Sequence, residues 1–254
     1  DQRAILETVR RFNEAVVAPV AAELDRRDDP ADCFSWDIVE AADAAGIRTM
    51  TLTEEWGGIG ADSLTTAMVI EELAKADMGI AVVMAQTLKL AQVLQKATTP
   101  EQRDRYVPIF RDDPRGLLAI GITEPETASN YFLPHPSPFR TAAEKTEGGW
   151  VINGMKHFIS NGNRSGIYFV FVQTEKSKGL AEGSTCFLIE RDTPGFSIGH
   201  VHDKMGERLA NNAELVFTDC FIADENVVGT VGDGFNVLAQ FFPQSNTYAA
   251  ATVL

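Results

Sequence analysis

Two short segments carry hydroxyls where the edge of a planar ligand could be bonded. Residues 121–130 read Gly-Ile-Thr-Glu-Pro-Glu-Thr-Ala-Ser-Asn, and residues 156–162 read Lys-His-Phe-Ile-Ser-Asn-Gly. Each sets hydroxyls (Thr123 and Ser129 in the first, Ser160 in the second) at the end of a short apolar run and beside a turn. Hydroxyls and backbone N–H groups offered in that way suit a flat, polar-edged cofactor, because they bond its edge without adding charge. Taken singly, Thr123-Glu124-Pro125 reads better as a strand running into a turn, and Phe158 as a β-core aromatic.

The remaining reactive residue types form weaker patterns. His200-x-His202-Asp203 would put two ligands on one face of a strand. No third ligand cluster accompanies them in the sequence, so chance is the better reading and no metal is expected. The glycines of residues 229–234 lack the strand–turn–helix setting of a dinucleotide fingerprint and read as a turn before a helix.

These segments need elements to position them. Ile5, Val9, Phe12 and Val16 recur at helical spacing, and the pattern stops near Pro19. Residues 36–45 form a second helix, closed by Gly46. The glycine-rich stretch 54–60 is a loop. A helix from Ser63 runs through Leu64, Ala67, Ile70 and Leu73. Another, over about 80–96, puts Ile80, Met84, Leu88, Ala91 and Leu94 on one face. Thr99-Pro100-Glu101-Gln102 is a capped helix start with proline at the first helical position.

From about Ala119 the period changes to two. Residues 150–153 and 156–160 are expected as short strands joined at Asn153-Gly154, a hairpin signal. Further strands follow at 167–173, 185–189 and 213–217. A helical pattern then returns with Phe235, Val237, Leu238 and Phe241 and runs to the last residue. The fold class predicted is α+β. It comprises an N-terminal helical domain (1–118), a middle β domain built as a barrel or two packed sheets (119–234), and the first helix of a C-terminal helical domain (235–254).

The 254 residues are 44% hydrophobic and 23% charged, as in a folded chain. A net charge of −14 argues against a general nucleic-acid or anionic-membrane surface. It still admits an anionic ligand held by local N–H groups. Cys33, Cys186 and Cys220 are odd in number and form no Cys-x-x-Cys, so reduced thiols in a cytoplasmic-type compartment are expected. No apolar stretch approaches the ~18 residues of a membrane span, and no secretory leader is visible.

Together the two hydroxyl-bearing segments resemble the flavin-contacting pair of the acyl-CoA dehydrogenase family. There the first reads roughly Thr-Glu-Pro-x-x-Gly-Ser-Asp and the second Trp/Phe-Ile-Thr/Ser-Asn-Gly. Further similarity lies in Val17-Ala18-Pro19-Val20-Ala21, the 54–60 loop, Glu71-Glu72-Leu73 ahead of Asp77, and the 99–102 turn. It continues through Asp203-Lys204-Met205-Gly206, Glu214-Leu215-Val216-Phe217 and residues 229–235. The family's domain order is also helical, β, helical, here with only the start of the last.

The resemblance implies FAD as cofactor. It places Ile122 and Thr123 at the flavin's pyrimidine edge, where hydrogen bonds stabilise charge that builds up on reduction. Ser129 falls near the pyrophosphate and the substrate's pantetheine, although Ala128 and Asn130 stand where Gly and Asp are usual. Phe158 would pack on the isoalloxazine face away from substrate, Ile159 continues the same contact segment, and Ser160 takes the position near N5. Residues 131–139, with Pro134, Pro136 and Pro138, form either a specificity loop or a rigid surface excursion.

The implied reaction is oxidation of an acyl-CoA thioester to the 2,3-enoyl-CoA, with electrons passed to an electron-transferring flavoprotein. Relatives are commonly homotetramers and use a glutamate base. At one family position for that base this chain has Ser245, which is no carboxylate. Asn246 stands in the substrate region where an arginine is frequent, and Pro243 where an aspartate is. In most relatives the glutamate lies in the C-terminal bundle, outside these residues, so no residue is named as base. Either it lies in that segment or this is not a conventional dehydrogenase. Two rival readings keep the cofactor: a flavin-dependent oxidase or monooxygenase, and a non-catalytic FAD-binding subunit of a hetero-oligomer.

Overall fold

The computed structural model describes residues 2–128 and 138–253. Its first half is helical: α1 (Gln2–Phe12), α2 (Ala18–Asp25), α3 (Trp36–Ala44), α4 (Ser63–Ala74), α5 (Met78–Lys96) and α6 (Pro100–Asp112). Helical structure does not end near Pro19. A π turn over Asn13–Val17 joins α1 to α2, with the Ala18 N–H donating to the Asn13 carbonyl, and Pro19 falls in the first turn of α2. The widened turn resets the register just ahead of the proline. Its missing N–H then lies at a helix start, where it is tolerated.

The other helix starts follow their caps. Ser35, Asp62, Asp77 and Thr99 accept the backbone N–H groups of Ile38, Thr65, Ile80 and Gln102. Thr99 and Gln102 close a reciprocal capping box.

The 19-residue α5 is the one helix among the described residues long and apolar enough to cross a bilayer. The sequence expectation of no such stretch is corrected on that point. Here α4, α6, α9 (Phe242–Ala251) and the first strand surround it. Burial on nearly every side accounts for its apolarity.

Among the described residues eight strands form one sheet: β1 (Leu118–Gly121), β2 (Ala142–Thr146), β3 (Gly149–Ser160), β4 (Ile167–Gln173), β5 (Ser184–Glu190), β6 (Phe196–Val201), β7 (Asn212–Ala223) and β8 (Val227–Val228). Their order is β6-β7-β3-β2-β4-β5-β8, with β1 parallel to β4. Strand β4 is buried along its whole length. Tyr168, Val170 and Val172 pack with Trp150, Ile152 and Phe187, while Ile167, Phe169 and Phe171 pack with Leu90, Leu94 and Phe110 of the helical layer. Two covered faces explain why this strand shows no polar alternation.

The hairpin expected at Asn153-Gly154 is absent. Both flanking runs belong to the single strand β3, and the true hairpin joins Thr146 to Gly149 through Glu147-Gly148. Gly154 instead marks a register shift against β7, at φ +135°. A Cβ there would lie 2.6 Å from Thr141 Cα. The glycine thus serves close chain approach rather than a turn.

A one-turn α7 (Leu180–Gly183) precedes β5, and after β8 the helical pattern divides into α8 (Gly234–Ala239) and α9, because Pro243 opens a new first turn. Tyr248 and Ala251 of α9 return to the helical layer and join the core cluster of Leu73, Ile80 and Met84. The whole is α+β. All three cysteines are free and buried.

Candidate functional site

The fold brings the two hydroxyl-bearing segments side by side. The His157 N–H donates to the Thr123 carbonyl at 2.7 Å, and the Thr123 hydroxyl donates to the His157 carbonyl. The hydroxyl's proton is thereby committed within the protein, so Thr123 offers a ligand its lone pairs. Ile122 is buried, and its carbonyl accepts from Lys156 Nζ at 3.0 Å.

Beneath this junction lies a buried ion pair that sequence reading passed over. Lys156 Nζ is 2.7 Å from Glu124 Oε1, both side chains being sealed. Glu124 also accepts the backbone N–H groups of Arg140 and Thr141 at 2.8 and 3.1 Å. One carboxylate therefore ties the Thr123-Glu124-Pro125 turn to β3 and to the backbone at Arg140 and Thr141. Burial alone would raise the Glu124 carboxyl. Lys156 and the N–H donors outweigh it and hold Glu124 below the usual carboxylate range. Burial draws the Lys156 ammonium down to about 8, and Glu124 opposes that shift. The ammonium also sits 3.6 Å from the centre of the Phe139 ring.

Further along β3, Phe158 adopts φ +57°, a left-handed conformation uncommon for a bulky residue. Its ring is 55% exposed, and it stacks on His202 at 4.1 Å. A large aromatic held outward by a strained backbone fits a ligand contact better than the core. Asn212 Nδ2 donates to both the Phe158 carbonyl (3.0 Å) and Ser160 Oγ (3.2 Å), so the half-buried Ser160 keeps its own proton to donate. Ile159 differs from its neighbours. It is 2% exposed and packs among Trp150, Phe196 and Leu215, so only its backbone can face a ligand.

Asn161, in the same motif, acts by position. It is fully buried at φ +60°, and its amide nitrogen lies 3.2 Å from the Val83 carbonyl of α5 and 3.3 Å from the Leu118 carbonyl of β1. It fastens the segment to the central helix.

Ser129 and most of the proline-bearing stretch, 131–137, lie outside the described residues. Asn246 is exposed on α9. Beside it, Ser245 Oγ receives a hydrogen bond from Lys89 Nζ at 3.1 Å. Burial pushes the Lys89 amine down to about 7. Lys89 was missed in the sequence, yet its signal was there: a lone charge between Leu88 and Leu90 in an apolar helix.

The histidines also gather more closely than their sequence suggests. His202 is joined by His157 and Glu214 from other strands, whereas His200, its partner in the sequence pattern, is not part of the group. Burial, then the neighbouring His157 and His200, hold the His202 imidazole below its ordinary range.

An outward aromatic face, a hydroxyl with a free proton and a hydroxyl offering lone pairs lie together where the Thr123 segment meets the last residues of β3. That set fits a planar cofactor with a polar rim, and Thr123, Phe158 and Ser160 are the side chains able to hold it.

Residues 1–111 match the family model described as acyl-CoA dehydrogenase, N-terminal domain, and residues 119–220 the one described as acyl-CoA dehydrogenase, middle domain. The short-chain specific acyl-CoA dehydrogenase of Clostridium acetobutylicum is 33% identical over 93% of this chain and 60% of its own length. The solved butyryl-CoA dehydrogenase of Megasphaera elsdenii superposes with a TM-score of 0.88 at 32% identity, covering 99% of this chain and 64% of that one. A chain from the structure described as the electron transferring flavoprotein of Acidaminococcus fermentans gives 0.89 at 31%, with the same coverage. The chain thus spans about 60% of the length of the curated relatives it matches.

Proposed function

Because this chain belongs to the acyl-CoA dehydrogenase family, we propose that it binds FAD and serves the oxidation of an acyl-CoA thioester to the 2,3-enoyl-CoA. The observation that carries this reading is the Thr123–His157 pairing, which sets both family segments together with the Phe158 ring turned outward. Bound there, FAD supplies a hydride acceptor.

The chain's own residues supply binding and position. Phe158 offers its face to the ring system, Ser160 a hydroxyl donor beside it, and Ile122 and Thr123 the backbone and lone pairs at the ring's polar edge. Ser129 serves the pyrophosphate and pantetheine, and Asn246 the substrate. Ser245 is a neutral hydroxyl and is not assigned as base. Electrons leave to an electron-transferring flavoprotein, a reading supported by the similarity to the Acidaminococcus structure. A homotetramer is the assembly we expect. A cytoplasmic setting is the reading that three free, buried thiols support.

Anaerobic titration of the purified protein with a series of acyl-CoA thioesters tests the proposal. Bleaching of the flavin band near ~450 nm with formation of an enoyl product supports it and ranks the substrates. Absence of bound flavin overturns the cofactor. Bound flavin that no thioester bleaches points to an oxidase, a monooxygenase or a non-catalytic subunit.

A further inference from the structure

Strand β7 holds Glu214 between two irregularities. On one side β3 pairs Lys156 with Leu215 and Ile159 with Ala213, so His157 and Phe158 together oppose Glu214. On the other, β6 pairs Ile198 with Leu215 and Val201 with Ala213, so Gly199 and His200 oppose the same residue. Two-against-one bulges re-aim side chains out of the strict pleat alternation. These bulges gather one ligand atom each from His157, His202 and Glu214 within 4.8 Å of one another.

The cluster is oriented as well as gathered. Glu214 Oε2 accepts the His200 backbone N–H at 3.0 Å, which leaves Oε1 facing His157 Nε2 at 3.4 Å. Gly199 makes room for that carboxylate, since a Cβ there would lie 2.6 Å from Oε2. His202 Nε2 is sealed from solvent and has no hydrogen-bond partner among the described residues. Phe158 stacks over the same ring, and the His157 ring meets it edge-on at 4.4 Å. A buried imidazole nitrogen with no partner, on a ring that sits beside two further donors, calls for one.

We propose that His157, His202 and Glu214 bind a zinc-class divalent cation. Two imidazoles and one carboxylate suit Zn²⁺, Co²⁺ or Ni²⁺, whereas Mg²⁺ and Ca²⁺ demand oxygen ligands throughout. A tetrahedral ion with bonds of about 2.1 Å sets its donors roughly 3.4 Å apart. The His157–Glu214 pair already stands at 3.4 Å, and all three ligand atoms lie within 4.8 Å of one another. Three protein donors leave a fourth position for water or another ligand. The His200 N–H is the outer contact that fixes the carboxylate. The site adjoins the flavin reading through Phe158, which stacks on His202, but its metal binding is tested without flavin.

The test uses untagged protein stripped of metal with chelator and titrated with Co²⁺, then Zn²⁺, by absorbance and calorimetry. One equivalent of Co²⁺ should bind, with visible bands of a low-coordinate site that Zn²⁺ displaces. His202→Phe keeps the stack on Phe158, and it should weaken binding at least tenfold, as should Glu214→Gln. Circular dichroism confirms that each variant is folded, and His157→Gln replaces any that is not. No saturable binding, or binding that these variants leave unchanged, overturns the site.

Discussion

Lys156 Nζ lies 2.7 Å from Glu124 Oε1 inside a region closed to solvent, and this contact joins the two segments that carry the candidate site. Removing one partner strands the other's charge in a low-dielectric setting. Lys156→Met should therefore cost about 3–5 kcal/mol in urea unfolding. The double variant Glu124→Gln with Lys156→Met should recover much of that loss, because no ion then remains buried. If the double variant is as unstable as the single one, the cost comes from lost packing and the ionic account is wrong.

The same pair sets a direction for acid sensitivity. The folded-state pKa of Glu124 is depressed, so folded protein binds fewer protons there than unfolded chain does. Its stabilisation is complete above the unfolded value of about 4.3 and is lost as pH falls through the lower folded value. Wild-type stability, measured by urea unfolding at a series of pH values, should fall across that window. In Glu124→Gln that share of the slope should be missing.

Helix starts were legible because their causes are local. The starts at Trp36, Ser63 and Pro100 were read, the last by its cap, and Ser35, Asp62 and Thr99 each cap within three residues, so signal and structure share one stretch of chain. Asn153-Gly154 misled for the opposite reason: its glycine answers to Thr141, across the sheet. The metal-type cluster was hidden likewise, since residues 157, 202 and 214 meet only through two bulges. The buried roles of Glu124 and Lys156 depend on burial, which no motif states.

Gly154 yields a sharp comparison with Gly148. Both have positive φ, +135° and +70°, but a Cβ at Gly148 would meet nothing within 4 Å, whereas at Gly154 it would meet Thr141 backbone. Gly148→Ala should cost about 1 kcal/mol, the backbone term alone. Gly154→Ala should cost clearly more, roughly 2–4 kcal/mol with the clash included. Equal losses in chemical denaturation would mean that the strand relaxes around Thr141.

Lys89 gives a pH dependence of the other sign. Its folded-state pKa is about 7, against roughly 10.4 for an unfolded lysine. Between those values the unfolded chain binds the extra proton, so stability from this residue rises with pH, and below pH 7 its full penalty is felt. Lys89→Met removes the penalty. Its melting temperature should exceed wild type at about pH 6, and the gap should close toward about pH 10. A gap that stays constant with pH would place the Lys89 amine in water.

Phe158 separates the cofactor reading from a structural one. Its ring is 55% exposed, so truncation removes little buried surface, and Phe158→Ala should change stability by no more than about 0.5 kcal/mol. If the exposed face receives the flavin, the same change removes an aromatic contact from the ligand and should weaken FAD binding roughly three- to tenfold. Equilibrium dialysis with FAD measures this directly. Phe158→Tyr, which keeps the ring, should bind as wild type does. A stable Phe158→Ala protein with undiminished FAD affinity would leave the left-handed backbone at φ +57° serving the stack on His202 instead, and the flavin would have to be sought on another face of the sheet.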